Sequence, residues 1–147
     1  MKGGVAIITG ASSGIGKACA TELAKEGVQV ALAARKMDKL EEVKAACEAL
    51  GVKAIAVQCD VSVEADCKRL IDETIKTFGK VHILVNNAGI SMRATFADLD
   101  LSVLKKSMDV NFWGMVYCTK YALPHLLETK GSVIGVSSIA GFRGLPA

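Results

Sequence analysis

VAIITGASSGIG (Val5–Gly16) decides how the rest of this 147-residue chain is read. Val5–Thr9 is short, rich in β-branched residues and bounded by glycines, which predicts a buried strand. GIGKACATELAKEG (14–27) follows, with Ile15, Cys19 and Leu23 at helical spacing and Gly27 as the stop. The connecting loop and the first helical turn carry Gly10, Ser12, Ser13, Gly14, Ile15 and Gly16. Glycine serves where the chain turns with positive φ, or where backbone must approach another group without a Cβ in the way. The unpaired N–H groups of a first helical turn then face an anion, helped by the helix dipole. A phosphate-cradling β–α turn is one reading and a plain glycine-rich turn the other. Two rival phosphate motifs fail on spacing. A P-loop needs Gly where Ala11 stands and Ser or Thr where Ala18 stands, and G-x-G-x-x-G would need glycine at Cys19. The observed pattern is G-x-x-x-G-x-G.

Outward from this loop the same alternation repeats. VQVALAA (28–34) reads as a second strand and MDKLEEVKAACEALG (37–51) as a helix with the stripe Leu40, Val43, Cys47, Leu50. KAIAVQC (53–59) is a third strand. SVEADCKRLIDETIKTFG (62–79) is a helix, with Ser62 as the expected N-cap and Glu64 and Asp66 near its positive end. VHILV (81–85) is a fourth strand, about Leu101 to Leu127 is helical, and SVIGVS (132–137) is a fifth strand. Strands this apolar need both faces covered, so the fold class expected is α/β, a doubly wound parallel sheet of Rossmann type, in a single domain over 1–147. Ligands of such sheets bind beyond the carboxyl ends of the strands.

Composition agrees with a folded α/β domain: 51% hydrophobic, 5% aromatic, with 18 basic and 15 acidic residues of interspersed sign. No basic block implies nucleic acid, and no stretch approaches the ~20 apolar residues of a membrane span. The five cysteines are scattered and form no C-x-x-C, so neither a disulfide framework nor a metal site is expected. Reduced thiols point to the cytoplasm. The N-terminus lacks the long apolar region and cleavage site of a signal peptide.

The motifs together resemble the short-chain dehydrogenase/reductase family, in family order and along the whole chain. TGASSGIG (9–16) resembles its cofactor loop, and Asp60-Val61 its adenine-contacting pair after strand three. NNAG (86–89) resembles the close of strand four, Asn111 in DVNFWG the helix asparagine, and VSSIAG (136–141) the serine motif. The resemblance implies cofactor contacts at Gly10, Ser12, Ser13, Gly14, Ile15, Gly16, Asp60, Val61, Asn87, Ala88 and Gly89. It implies catalytic roles for Ser138, which holds a substrate oxygen, and Asn111, which positions a water in a proton relay. An asparagine inside a helix is unfavourable by propensity, an independent hint of function.

An NAD ribose is usually met by an acidic residue ending strand two. Ala34 occupies that position, followed by Arg35 and Lys36. With no carboxylate to hold the ribose diol, and a guanidinium able to pair with a 2′-phosphate, NADP(H) is expected in preference to NAD(H).

The resemblance also implies a Tyr acid/base and a Lys one helical turn later that lowers its pKa, since an ordinary Tyr titrates near ~10. No Y-x-x-x-K occurs here: Tyr117 is followed four residues on by Tyr121, and Tyr121 by His125. The expectation is therefore an N-terminal part of a reductase, truncated after the fifth strand, whose parent acts on an alcohol or carbonyl and is a homo-oligomer. Strand five is expected as an open sheet edge, with association as a consequence. Two other readings stay open, a non-catalytic dinucleotide-binding module and an interaction protein that pairs through its long helix. Ile90 to Phe96 and Phe142 to Pro146 are expected along one wall of the substrate pocket. His82, in a place where the family often has Asp, reads as a packed or hydrogen-bonded residue. Trp113, Met115 and Tyr117 read as core or interface, and Cys67 and Cys118 as inert.

Overall fold

The computed structural model describes residues 2–92, 94–141 and 143. Five parallel strands, β1 (Val5–Thr9), β2 (Gln29–Ala34), β3 (Ala54–Gln58), β4 (Ile83–Asn86) and β5 (Ser132–Gly135), form one sheet in the order β3-β2-β1-β4-β5. The helices are α1 (Gly14–Lys25), α2 (Met37–Glu48), α3 (Glu64–Phe78), α4 (Leu101–Met108) and α5 (Gly114–Thr129). From β1 the chain winds outward to β2 and β3, then crosses back to β4 and β5. The chain therefore leaves β1 and β4 for helices on opposite faces of the sheet, and a crevice opens at the strands' carboxyl ends.

β1 to β4 each feed two cores, because successive side chains take opposite faces. Ala6, Ile8, Val30 and Leu32 pack on one side with Ala20 and Ala24 of α1 and Leu40 and Val43 of α2. Ile7, Ala31 and Leu84 pack on the other with Leu70 and Ile71 of α3 and Cys118 and Ala122 of α5. Side chains as completely buried as Ile7, Ile8, Leu32, Leu70 and Leu84 each contribute roughly 1.5–3 kcal/mol.

Several sequence expectations are corrected here. In α1 the buried face is Gly16, Ala20 and Ala24, whereas Ile15 is 61% exposed and Cys19 and Leu23 are half-buried. The helix lies too close to the sheet for larger side chains. Leu50 falls beyond α2 and is exposed. The N-cap of α3 is Val63, not Ser62, because the Ser62 hydroxyl and amide are both spent on Asp60. The helical region expected over about 101–127 is present and runs to Thr129, as two α-helices joined by a π-helical turn, Asp109–Trp113. Of the core and interface alternatives for Trp113 and Met115, their exposure removes the core one, and Trp113 stacks on the half-buried Tyr117. All residues of β5 are exposed, at the sheet edge expected for it.

His82 sits at the opposite end of the sheet from the crevice. Its Nδ1 accepts the Val5 N–H at 3.1 Å, so the neutral ring caps the start of β1. Burial, and then the nearby Lys80 charge, hold its pKa below the usual histidine value. A histidine harder to protonate folded than unfolded contributes stability that is complete above its unfolded pKa of ~6.5 and is lost as pH falls through the folded value. The thermal midpoint is expected to drop between pH 7.5 and 5. In His82→Asn, which keeps an acceptor but cannot titrate, circular-dichroism melts are expected to show a smaller drop. Equal drops in both proteins would remove His82 from the explanation.

Candidate active site

The loop after β1 is shaped by what cannot fit in it. A Cβ on Gly16 would stand 2.4 Å from the Gly10 carbonyl oxygen and 2.5 Å from Asn87 Nδ2. One on Gly10, which has φ of +65°, would stand 2.8 Å from Ala88 Cα. Gly14 has φ of +54° and open space beside it. The first two glycines let β1, α1 and the loop after β4 converge; the third turns the chain and leaves its outer side clear. Ser13, the N-cap of α1, is extended and makes no side-chain cap bond, and the first turn of α1 carries no acidic residue. This positive helix end faces the crevice uncompensated, as an anion requires.

Thr9 ties the two loops together. Its Oγ1 accepts the N–H groups of Asn87 and Ala88, both at 3.0 Å, and donates to the Val85 carbonyl at 3.3 Å, using its full hydrogen-bonding capacity. Asn87 reciprocates, with Nδ2 donating to the carbonyls of Thr9 at 2.9 Å and Gly10 at 3.3 Å. Sequence reading singled out Asn87 but missed Thr9. The available signal was a polar residue closing an otherwise apolar strand, and the structure leaves it only 2% exposed. Asn86 instead faces α5, its Nδ2 donating to Thr119 Oγ1 at 3.1 Å.

Two adjoining clefts open on this framework. The first, about 380 Å³, is lined by Gly10, Ser12, Ser13, Arg35, Asp60, Val61, Asn87, Ala88 and Gly89 among others. Ala34 forms its floor at the end of β2, and Arg35, Lys36 and Lys39 form a cationic rim with no ion pair among the described residues. Asp60 holds itself in place through Oδ1, which accepts the Ser62 N–H at 3.0 Å and hydroxyl at 2.7 Å. Val61 packs against Gly114, where a Cβ would meet its Cγ2 at 2.7 Å. Gly114 was not anticipated, since a glycine opening a helix reads as neutral until its neighbour is known.

The second cleft, about 650 Å³, shares Val61, Asn87, Ala88 and Gly89 with the first and adds Ile15, Ile90, Asn111 and Ser138. Ser138 Oγ accepts the Ala140 N–H at 3.2 Å, leaving its proton to donate. Asn111 lies in the π-helical turn. Its Oδ1 accepts the Ile90 N–H and its Nδ2 donates to the Ile90 carbonyl, both at 2.8 Å, so the side chain clamps the loop after β4. A π turn interrupts the helix ladder and recurs at functional sites. Of the expected pocket wall, Ile90 and Ser91 line this cleft, Phe96 is 81% exposed, and Arg93, Phe142 and 144–146 lie outside the described residues.

The helix tyrosines are engaged elsewhere. Tyr121 donates to Glu64 Oε1 at 2.6 Å, and that carboxylate raises its pKa. Cys59, Cys67 and Cys118 are buried. Contact with Cys118 and burial push the Cys67 thiol up to about 12, which keeps it protonated. Among the described residues no helix is long and apolar enough to cross a membrane.

Comparison with known proteins agrees with this architecture. The family model of short chain dehydrogenase matches residues 4–147. The 11-beta-hydroxysteroid dehydrogenase-like 4A of Arabidopsis thaliana is 47% identical over 148 residues, covering 99% of this chain and 50% of that protein. The 11-beta-hydroxysteroid dehydrogenase A of Arachis hypogaea is 46% identical over 146 residues, 98% of this chain and 42% of that one. Among solved structures, the alcohol dehydrogenase of the archaeon Thermococcus sibiricus, complexed with 5-hydroxy-NADP, superposes with a TM-score of 0.94 at 32% identity, covering 97% of this chain and 61% of that chain. An NAD+-bound xylitol dehydrogenase gives a TM-score of 0.94 at 31% identity, covering 99% and 56%. The chain spans about half the length of the curated relatives it matches. A glycine loop locked under the loop after β4, on a sheet of order β3-β2-β1-β4-β5, is thus found with sequence similarity along nearly the whole chain, and the chain belongs to the short-chain dehydrogenase family.

Proposed function

We propose that this chain is a single cytoplasmic domain that binds a nicotinamide dinucleotide, NADP(H) in preference to NAD(H). In the whole protein it serves an oxidoreductase acting on an alcohol/carbonyl pair. The observation that carries this reading is the glycine cradle: Gly10 and Gly16 fill space that no Cβ could enter, and Gly14 turns the uncapped start of α1 toward the first cleft. These residues fit a pyrophosphate, and Asp60 and Val61 flank the place for an adenosine. The solved relative with 5-hydroxy-NADP and the hydroxysteroid names of the curated relatives support the cofactor class and the alcohol. The cationic rim beside Ala34 supports a 2′-phosphate. Free cysteines support a reducing compartment. Exposed Phe112, Trp113 and Leu127 support self-association of the parent.

Bound here, the dinucleotide would supply or accept a hydride. The chain's own part is to orient the substrate and prepare its oxygen. Ser138 donates its free proton to that oxygen, and Asn111, by clamping Ile90, fixes one wall of the second cleft. The π turn at Asn111 is the proposed point where a relay water is held. The Tyr–Lys pair that such a relay serves is not among these 147 residues. Dinucleotide binding without turnover is therefore the activity proposed for the chain by itself. Titration with NADPH, followed through the single tryptophan, is expected to saturate and to be reversed by adenosine 2′,5′-bisphosphate, with no turnover of a ketone panel. Absence of saturable binding would refute the dinucleotide reading, and clear turnover would refute the need for the Tyr–Lys pair.

A further inference from the structure

Among the described residues β3 is the outer strand of the sheet, and no strand pairs with its far edge. Residues two apart on a strand present their backbone groups to the same side. Toward β2, the Cys59 N–H donates to the Ala34 carbonyl at 3.0 Å. The Gln58 carbonyl and the Asp60 N–H therefore point outward, where a sixth strand would be. Two side chains of α3 stand in its place. Asp66 Oδ2 accepts the Asp60 N–H at 2.9 Å, and Arg69 Nη2 donates to the Gln58 carbonyl at 2.7 Å. Arg69 Nη1 also donates to Asp66 Oδ1 at 2.7 Å. The pair closes a ring around Gln58–Asp60, offering the edge one acceptor and one donor as a strand would. The Asp66 carboxyl, held below the usual carboxylate range by the Asp60 N–H and then by Arg69, stays ionised in this role. The same segment reaches the other wall of the first cleft, because Gln58 Nε2 donates to the Arg35 carbonyl at 3.1 Å.

We propose that Asp66 and Arg69 are positioning residues for the adenosine end of the dinucleotide, a side-chain latch that sets where β3 ends and so where Asp60 and Val61 stand in the cleft. This rests on the dinucleotide reading of that cleft. The latch touches no ligand; it acts through the backbone of residues 58–60 and, through Gln58, on Arg35. A pair that served only to hold α3 against the sheet would affect melting alone.

The test is calorimetric titration with adenosine 2′,5′-bisphosphate, which carries only the adenosine end, beside a thermal melt of each variant. Asp66→Ala removes a charge-assisted acceptor and is expected to weaken binding about tenfold. Asp66→Asn, which keeps a carbonyl at the same place, is expected to recover to within about threefold of wild type. Arg69→Met, at a half-exposed side chain that melting is expected to tolerate, should weaken binding several-fold, and it decides the matter should Asp66→Ala give no folded protein. Variants that melt lower yet bind the bisphosphate as wild type does would overturn the latch and leave the dinucleotide reading intact. Wild-type protein that binds neither the bisphosphate nor NADPH would overturn both.

Discussion

Gly16→Ala is expected to lower NADPH affinity by about a hundredfold or more and to depress the thermal midpoint, whereas Gly14→Ala loses less than about tenfold. The contrast lies in what each added methyl meets. At Gly16 it meets backbone, the Gly10 oxygen at 2.4 Å and its carbon at 2.9 Å, together with an Asn87 amide already bonded to Thr9 and Gly10. None of these yields without parting α1 from β1, and overpacking of this kind costs on the order of 3 kcal/mol. The parting also moves the N–H groups that face the cleft. At Gly14 the methyl meets nothing, and the cost is the positive φ alone, roughly 1–2 kcal/mol. Fluorescence titration and melts of the two variants measure the difference. Gly16→Ala binding NADPH within threefold of wild type would contradict the cradle.

The same glycines show why part of this molecule was legible and part was not. The β1 loop was readable because its features are local: a β-branched run, three glycines at fixed spacing, then a helix. A doubly wound parallel sheet follows once the chain is known to alternate and to wind right-handed, but the order β3-β2-β1-β4-β5 does not, because other doubly wound orders obey the same rules. The buried face of α1 was misread because close approach selects for smallness, so Gly16, Ala20 and Ala24 carry the contact while Ile15 turns out into the second cleft. Ser62 was misread as a helix cap because Asp60, two residues earlier, takes its hydroxyl. Asn111 was visible through the resemblance of DVNFWG to the family's helix asparagine and as a misfit in a helix. Its reason is tertiary, a two-point clamp on Ile90, twenty-one residues away. The Asp66–Arg69 latch reads in sequence as an ordinary i,i+3 pair on a helix surface, one of several on this chain. Only the sheet order shows that it stands at an unpaired edge.

Replacing Ala34 and Arg35 together, as Ala34→Asp/Arg35→Ala, is expected to reverse the cofactor preference, and Arg35→Ala alone to narrow it. Ala34 ends β2 at 8% exposure on the floor of the first cleft, with Arg35, Lys36 and Lys39 on its rim. A charge-assisted hydrogen bond from Arg35 to a 2′-phosphate is worth roughly 1.5–3 kcal/mol, so its loss should cost NADPH about ten- to a hundredfold and NADH almost nothing. Lys36 and Lys39 remain in Arg35→Ala and keep part of the attraction, which is why the single change narrows the preference without inverting it. A carboxylate at position 34 adds two effects of the same sign. It accepts both hydroxyls of an unphosphorylated ribose, and it repels a phosphate carrying about −1.5 to −2 charges at pH 7. Two unit charges ~4 Å apart interact by about 4 kcal/mol near a protein surface, so this repulsion outweighs what the two lysines return. Salt supplies a further check: the wild-type preference should shrink as ionic strength rises past the point where the Debye length falls to ~8 Å, because the rim is exposed. Dissociation constants for NADPH and NADH, measured for wild type and both variants at two salt concentrations, decide it. A ratio that Arg35→Ala leaves unmoved would take the 2′-phosphate away from this rim.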